Sequence, residues 1–208
     1  MGSNKAKLAV FDFDGTLYKG DTTKGFCWFY YRKNPFKAYY FIIQLAFWMQ
    51  YQLGLLSTTQ FKSKFIQFLN NNDAAQIDVL VSLFWSEKKE LVRIHLIDEI
   101  ARLKKEGVHI VVVSASPELF IKTFCLSLGV DTVIGSELNV LNNKYSLLIN
   151  CRGEEKINRL RVVFPDFEIV TAYSDNIDDD SLLKMAKNGH WVDKRGKIVP
   201  FLQSDHSF

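Results

Sequence analysis

Strand-like and helix-like segments alternate along most of this chain, and that alternation predicts an α/β fold: a doubly wound parallel sheet with helices on both faces. Two observations carry the prediction. Short apolar runs rich in β-branched or aromatic residues recur at Leu8 to Phe11, Ile110 to Val113 and Ile169 to Tyr173, as buried parallel strands require. Between the first and second runs, Thr22 to Leu91 carries no convincing strand signal, which predicts an all-helical insertion after the first strand.

Each element follows from local signals. Leu8 to Phe11 runs straight into Asp12-Phe13-Asp14-Gly15-Thr16. The insertion reads as four helical stretches, broken near Asn34-Pro35, Gly54 to Thr59 and Asn70 to Asp73. Leu96, Ile97, Ile100 and Leu103 mark a helix that Lys104, Lys105 and Gly107 close. The strand at Ile110 to Val113 leads into Ser114-Ala115-Ser116, and Pro117 is expected to open a helix bearing Phe120, Ile121, Phe124 and Leu128, stopped by Gly129. Thr132 to Ile134 can form another strand, and Glu137 to Cys151 a hairpin turning at Asn142-Asn143. A helix over about Glu154 to Val163, the strand Ile169 to Tyr173, a helix over Asp180 to Lys187 and a short strand at His190 to Val192 complete a Rossmann-like core. The predicted division is a core of 1–21 plus 92–208 and a helical block of 22–91.

Composition narrows the function. The 208 residues suit one domain or a core with a modest insertion, and 48% hydrophobic with 24% charged residues excludes a disordered chain. A net charge of +3 with no basic stacking platform argues against a nucleic-acid partner. Cys27, Cys125 and Cys151 lack metal or redox spacing and read as reduced thiols. Met1 to Lys7 is short and polar, and Leu8 to Phe13 is too short and acidic for a signal sequence. A cytoplasmic protein is expected, with peripheral contact at the inner face of a membrane as a further option. Nothing in the sequence bears on oligomeric state.

Aromatic residues make up 14% of the chain, and twelve of them fall between Phe26 and Tyr51. Ala38 to Phe61 holds no charged residue and approaches transmembrane length. Gln44, Gln50 and Gln52, with the interleaved Tyr and Trp, are costly at bilayer depth, and a lone span would separate motifs that must meet. The segment reads as a buried helix, most of its rings forming the insertion's own core. The alternative is an interfacial helix flanked by Arg32, Lys33 and Lys37.

Four polar clusters follow or adjoin the carboxyl ends of strands, where ligands bind in open parallel sheets: Asp12 with Asp14, Ser114, Lys156, and Asp175 with Asp179. Carboxylates converging without a cation repel one another, so the set implies a metal, and oxygen-only ligands point to Mg²⁺. Ser114, ahead of a helix start, suits an anion, and Lys156 adds the positive charge a phosphate needs. Together they describe phosphoryl transfer through an aspartyl-phosphate. Alone, each has an ordinary reading: turn chemistry for the Asp pair, a cap for Ser114, a solvated lysine, and a helix N-terminus for Asp178 to Asp180. Their order and spacing favour the single site.

Phe11-Asp12-Phe13-Asp14-Gly15-Thr16-Leu17 resembles the first motif of the haloacid dehalogenase superfamily of phosphohydrolases. Ser114, Lys156, and Asp175 with Asp179 ahead of Leu182-Leu183 resemble its other three motifs, in order. A helical cap between motifs one and two resembles the branch containing phosphoserine phosphatase. The resemblance implies Asp12 as nucleophile and Mg²⁺ ligand, and Asp14 as general acid and base, also binding metal through its carbonyl. It further implies Asp175 as a metal ligand, Asp179 as support for the metal or the lysine, Ser114 and the Ala115 N–H as phosphoryl donors, and Lys156 as the charge partner. Asp21 stands where phosphoserine phosphatases carry a Glu for the substrate amine, and Ser114-Ala115-Ser116 replaces their Ser-Gly-Gly.

A closer likeness is to the phosphatidylglycerophosphatase C family. It rests on Asp21, the Arg32 to Pro35 step before an aromatic helix, Gly153 to Lys156, Tyr173 to Asp175, and Asp193 to Gly196. The expected substrate is a small soluble phosphate or a lipid phosphate. The rival is a catalytically silent phosphate-binding or membrane-surface protein on the same fold.

Overall fold

The computed structural model describes residues 5–201; residues 1–4 of the polar N-terminal segment and 202–208 of the predicted core lie outside that range. Among the described residues, β1 (Ala6–Phe11), β2 (His109–Pro117), β3 (Thr132–Leu141), β4 (Lys144–Ile149), β5 (Phe167–Ser174), β6 (Asn188–Val192) and β7 (Ile198–Pro200) form one sheet in the order β4-β3-β2-β1-β5-β6-β7. The five inner strands pair in parallel, and the two edge strands are antiparallel. The chain winds outward from β1 through β2 and β3, then returns to β5 on the other side of β1. The topological switch point therefore lies between β1 and β5, whose ends lead into Asp12 and Asp175.

Strand periodicity divides the core into two layers. Ala9, Phe11, Ile110 and Val112 face one cluster, and Leu8, Val10, Val111 and Val113 face the other. Helices α5 (Ile94–Lys105) and α6 (Glu118–Ser127) cover the first face with Leu96, Ile100, Leu103, Phe120, Ile121 and Cys125. Helices α7 (Glu154–Val163) and α8 (Asp180–Met185) cover the second with Ile157, Leu160, Leu182 and Leu183.

The insertion holds α1 (Thr22–Lys33), α2 (Tyr40–Gln52), α3 (Thr58–Phe65) and α4 (Ala74–Lys88). Reciprocal capping boxes start two of them, Ser57 with Gln60 on α3 and Asp73 with Gln76 on α4. The two connections to the core run side by side: Lys19 N–H donates to the Leu91 carbonyl (2.9 Å) and Arg93 N–H to that of Leu17 (2.9 Å). Phe26 of α1 packs on Phe120 of α6 with ring centroids 4.4 Å apart, so insertion and core share one apolar cluster. The β3–β4 hairpin braces the other side, with Tyr145 N–H donating to Asn70 Oδ1 (2.8 Å) and Leu147 N–H to Ser63 Oγ (3.2 Å). Asn142 and Asn143 both take positive φ at its tip, the geometry of a two-residue hairpin turn.

Several expectations need correction. Pro117 ends β2, and α6 begins one residue later, because the strand continues through Ser114 to Ser116 and Pro117 keeps extended ψ. Strand β7 has no sequence signal, being three residues long and closed by Pro200 at an edge. The rings of Phe26 to Tyr51 do not mostly form the insertion's core. Phe26, Phe29, Tyr30 and Tyr31 are buried, whereas Trp28, Phe36, Tyr39, Phe41 and Trp48 are exposed. Helix α2 is not a buried helix: its sole buried residue is Gln44, and Ile42, Met49 and Leu53 beside it are also exposed. Among the described residues, no helix is long and apolar enough to cross a membrane.

Candidate active site

The carboxyl ends of β1 and β5 converge with the start of α7 on a buried charged row. Lys156 Nζ donates to Asp12 Oδ1 and to Asp179 Oδ2, each at 2.6 Å, and all three side chains are almost fully buried. Asp179 Oδ2 also accepts from Ser174 Oγ (2.6 Å), while its Oδ1 has no protein partner. Asp179 thus lies against the lysine, as one of the two roles expected of it requires. Burial works against the charge on Lys156, but Asp12 and Asp179 outweigh it and hold the amine well above its ordinary value.

The Thr16 hydroxyl lies 3.3 Å from Asp12 Oδ2 and 3.1 Å from Asp175 Oδ1, and accepts from the Asp175 N–H (3.0 Å). One side chain thus ties the ends of β1 and β5 together. Gly15 makes the approach feasible: its φ is +81°, and a Cβ there would lie 2.0 Å from Asp175 Oδ2.

Asp14 turns the other way. Its Oδ1 accepts from the Thr22 N–H (2.8 Å) and hydroxyl, and its Oδ2 from the Ser116 hydroxyl. Thr22 opens the insertion and Ser116 lies near the carboxyl end of β2, so Asp14 sits at the junction of both parts. Ser114 Oγ accepts from the Ser116 N–H (3.1 Å), leaving its own proton to donate elsewhere. Asp21, expected at the substrate, is the N-cap of α1, accepting from Lys24 N–H (2.9 Å) and pairing with its ammonium (2.9 Å), although it still lines the cleft.

Burial raises the carboxylates above their ordinary range: Asp12 to about 7 despite Lys156, and Asp14 to about 6 despite Ser116 and Thr22, with Asp175 raised as well. This excess of buried negative charge suits a hard divalent cation. Among the described residues, no three His, Cys, Asp or Glu side chains gather as a metal site. Asp12 and Asp175, with the Asp14 main-chain carbonyl, could hold such an ion through oxygen donors alone.

A cavity of about 760 Å³ opens between insertion and core; Asp14 lines it, whereas Asp12, Ser114, Lys156, Asp175 and Asp179 do not. Asp14, Ala115, Ser116, Lys62, Arg152 and Asn176 line its polar end. Trp28, Phe41, Leu45, Trp48, Tyr51 and Phe61 line the rest. Sequence reasoning passed over Thr22 and Ser116, whose only signal was adjacency to the motifs, and Lys62, an ordinary lysine on a helix with no signal at all.

A parallel sheet with this cluster at its switch point and helices inserted after its first strand defines, as a class, a Rossmann-like α/β protein with a helical cap. The particular family follows from sequence: the haloacid dehalogenase-like hydrolase model matches residues 9–184, and the chain belongs to that family. It is 30% identical over 201 residues to Protein CicA of Caulobacter vibrioides, covering 91% of this chain and 87% of that one. Its fold resembles that of a protein of unknown function from Bordetella pertussis Tohama I, with a TM-score of 0.74 and 18% identity over 87% of each chain. A phosphoserine phosphatase solved as a phospho-aspartyl intermediate analogue shares the fold at a TM-score of 0.52 and 21% identity, over 88% of this chain and 84% of that one.

Proposed function

We propose that this protein is a Mg²⁺-dependent phosphomonoester hydrolase that works through an aspartyl-phosphate on Asp12 and takes a lipid phosphate as substrate. The observation that carries the reaction is Asp12 fixed between Lys156 and Thr16 while Asp14, two residues on, is held apart at the cleft. On this reading one carboxylate attacks phosphorus and the other manages protons.

Asp12 attacks the phosphoryl group, and the bond to the ester oxygen breaks. Asp14, raised to about 6 by burial, gives its proton to the departing oxygen, releasing an alcohol. The Asp14 carboxylate then takes a proton from water, which attacks phosphorus and frees inorganic phosphate and Asp12. The Ser114 hydroxyl and Ala115 N–H would bond phosphoryl oxygens, and Lys156 would offset their charge. Asp12, Asp175 and the Asp14 carbonyl would hold Mg²⁺, which would supply Lewis-acid charge to the phosphoryl oxygens.

The walls of the cleft support the substrate class. Aromatic and aliphatic side chains of α1, α2 and α3 surround the leaving-group end, and α2 presents the same kind of residue to the outside. Arg32, Lys33 and Lys37 flank that surface, which suits an anionic lipid layer. The test is turnover of a long-chain phosphomonoester on anionic vesicles beside para-nitrophenyl phosphate and small water-soluble monoesters. Asp12→Asn should abolish all of it. Preference for small esters without vesicle binding would replace the lipid reading with a soluble one. Activity retained in Asp12→Asn would remove the covalent mechanism.

A further inference from the structure

We infer that Arg93, where the second connection of the insertion re-enters the core, is a positioning residue for the turn at Gly15 that carries the reacting carboxylates. The inference rests on the reading of Asp12 and Asp14 as those carboxylates.

Arg93 is buried directly ahead of α5. Its guanidinium makes no ion pair among the described residues; one terminal nitrogen donates to two main-chain carbonyls, those of Gly15 and Lys194, each at 3.2 Å. Its Nε is buried without a protein partner. A buried charge on neutral, incompletely bonded partners is costly, so stability alone does not favour it over an apolar side chain of similar length.

What the guanidinium holds is Gly15, between Asp14 and Thr16. Gly15 lies at φ +81° against the Asp175 carboxylate, and Thr16 ties Asp12 to Asp175. A glycine keeps one conformation here only if its two polar groups are engaged. Its N–H donates to the Tyr18 carbonyl (2.7 Å), with the Gly20 carbonyl at 3.2 Å, both on the first connection. Its carbonyl has Arg93, on the second. The two connections thus clamp one residue from both sides. Without the guanidinium the Gly15 carbonyl is free to turn, and the Thr16 hydroxyl and the Asp14 main-chain carbonyl move with it.

The other end of the clamp is remote from the cleft. Asp193 Oδ1 closes the turn between β6 and β7 by accepting from the Arg195 and Lys197 N–H groups (2.8 Å each). His95 Nε2, on α5, lies 2.8 Å from the Gly196 carbonyl and holds that turn in place. Gly196 leaves room for the guanidinium: a Cβ there would lie 2.2 Å from Arg93 Nη1. A turn that lines no part of the cavity therefore sets where Arg93 sits, and through it the geometry of Asp14 to Thr16.

The experiment separates positioning from mere support. Arg93→Met and Arg93→Lys are assayed on para-nitrophenyl phosphate, with Mg²⁺ affinity read by calorimetry and folding by thermal melts. Arg93→Met should lower kcat about tenfold or more with KM within about twofold, and should weaken Mg²⁺ binding about tenfold, as loss of a partner behind ligating groups does. Arg93→Lys, whose ammonium can bridge both carbonyls, should recover most of both. Gly196→Ala should lower kcat in the wild type and far less in Arg93→Lys, whose smaller head clears the added carbon. Backbone strain at Gly196 is common to both backgrounds and cancels in that cycle, which decides the matter if Arg93→Met does not fold. A lowered melting temperature with kcat and Mg²⁺ affinity unchanged, a loss confined to KM, or Gly196→Ala effects that simply add would overturn the inference. Wild-type hydrolysis that survives Asp12→Asn removes the phosphatase mechanism instead, and the Mg²⁺ titrations still judge Arg93. A wild type that neither binds Mg²⁺ nor hydrolyses the ester overturns both.

Discussion

Helices α1 and α2 carry five aromatic residues each and lie next to one another in sequence, yet they have opposite fates. Four of the five rings in α1 are buried, against α4, α6 and the turn at Ile66–Leu69. None of the five in α2 is fully buried, and the one buried side chain of the helix is an amide. Gln44 accepts from the Tyr31 hydroxyl (2.8 Å) and donates to the Phe65 carbonyl (3.0 Å). The more polar helix builds the core, and the more apolar one offers its surface to something else. Apolar content sets how much a segment gains by leaving water, but the partners decide where it goes.

The comparison breaks first at Phe26. Phe26→Ala empties a site shared by insertion and core and should cost about 3–5 kcal/mol, read from the denaturant midpoint. A cost below about 1 kcal/mol would mean that α1 does not join the two parts.

Metal binding should strengthen the core floor and leave α2 alone. Burial raises Asp12 to about 7 and Asp14 to about 6 in the folded chain, against about 4 when unfolded. Without metal, the native state therefore holds extra protons between about pH 4 and 7. Their stabilisation is complete below about 4 and lost as pH rises through 6 and 7. Mg²⁺ replaces those protons, so its stabilisation should be largest near pH 8, about 2–3 kcal/mol at a hundredfold excess over Kd, and fade toward pH 5. Thermal melts with and without chelator measure it, and hydrogen exchange should slow at the end of β1 but not in α2. A larger Mg²⁺ effect at pH 5 would remove Asp12 as a ligand.

Gln44→Leu leaves the Tyr31 hydroxyl and Phe65 carbonyl without their partner. A loss of about 1–3 kcal/mol is expected, with faster exchange throughout α2. Full stability in that variant would show that other contacts anchor the helix.

The smallest stability change belongs to the outer face. Ile42→Ser with Met49→Ser should alter stability by no more than about 0.5 kcal/mol, because both side chains are exposed. The same variant should bind anionic vesicles more weakly in a flotation assay. Unchanged flotation would leave α2 without a lipid role.

Much of this was legible from residues alone. Strand ends, turns and caps depend on neighbours a few positions away, so β1, α7 and the Asn142-Asn143 turn sit where the pattern put them. The four polar clusters were legible for the same reason, each being bound to a strand end or helix start. Lys62 was not, because its meaning comes from Ala115 and Asn150, distant in sequence and adjacent only after folding.

The sequence by itself determined the α/β class, the helical insertion and the carboxylate–lysine chemistry, since those are written in local period and spacing. Only the tertiary structure decided that the apolar side chains of α2 stay exposed, that Asp179 accepts a hydrogen bond from Lys156, and that a lysine from the insertion lines the same cleft as Arg152. Burial and charge balance belong to surfaces assembled from remote parts of the chain, and no local pattern encodes which surfaces meet.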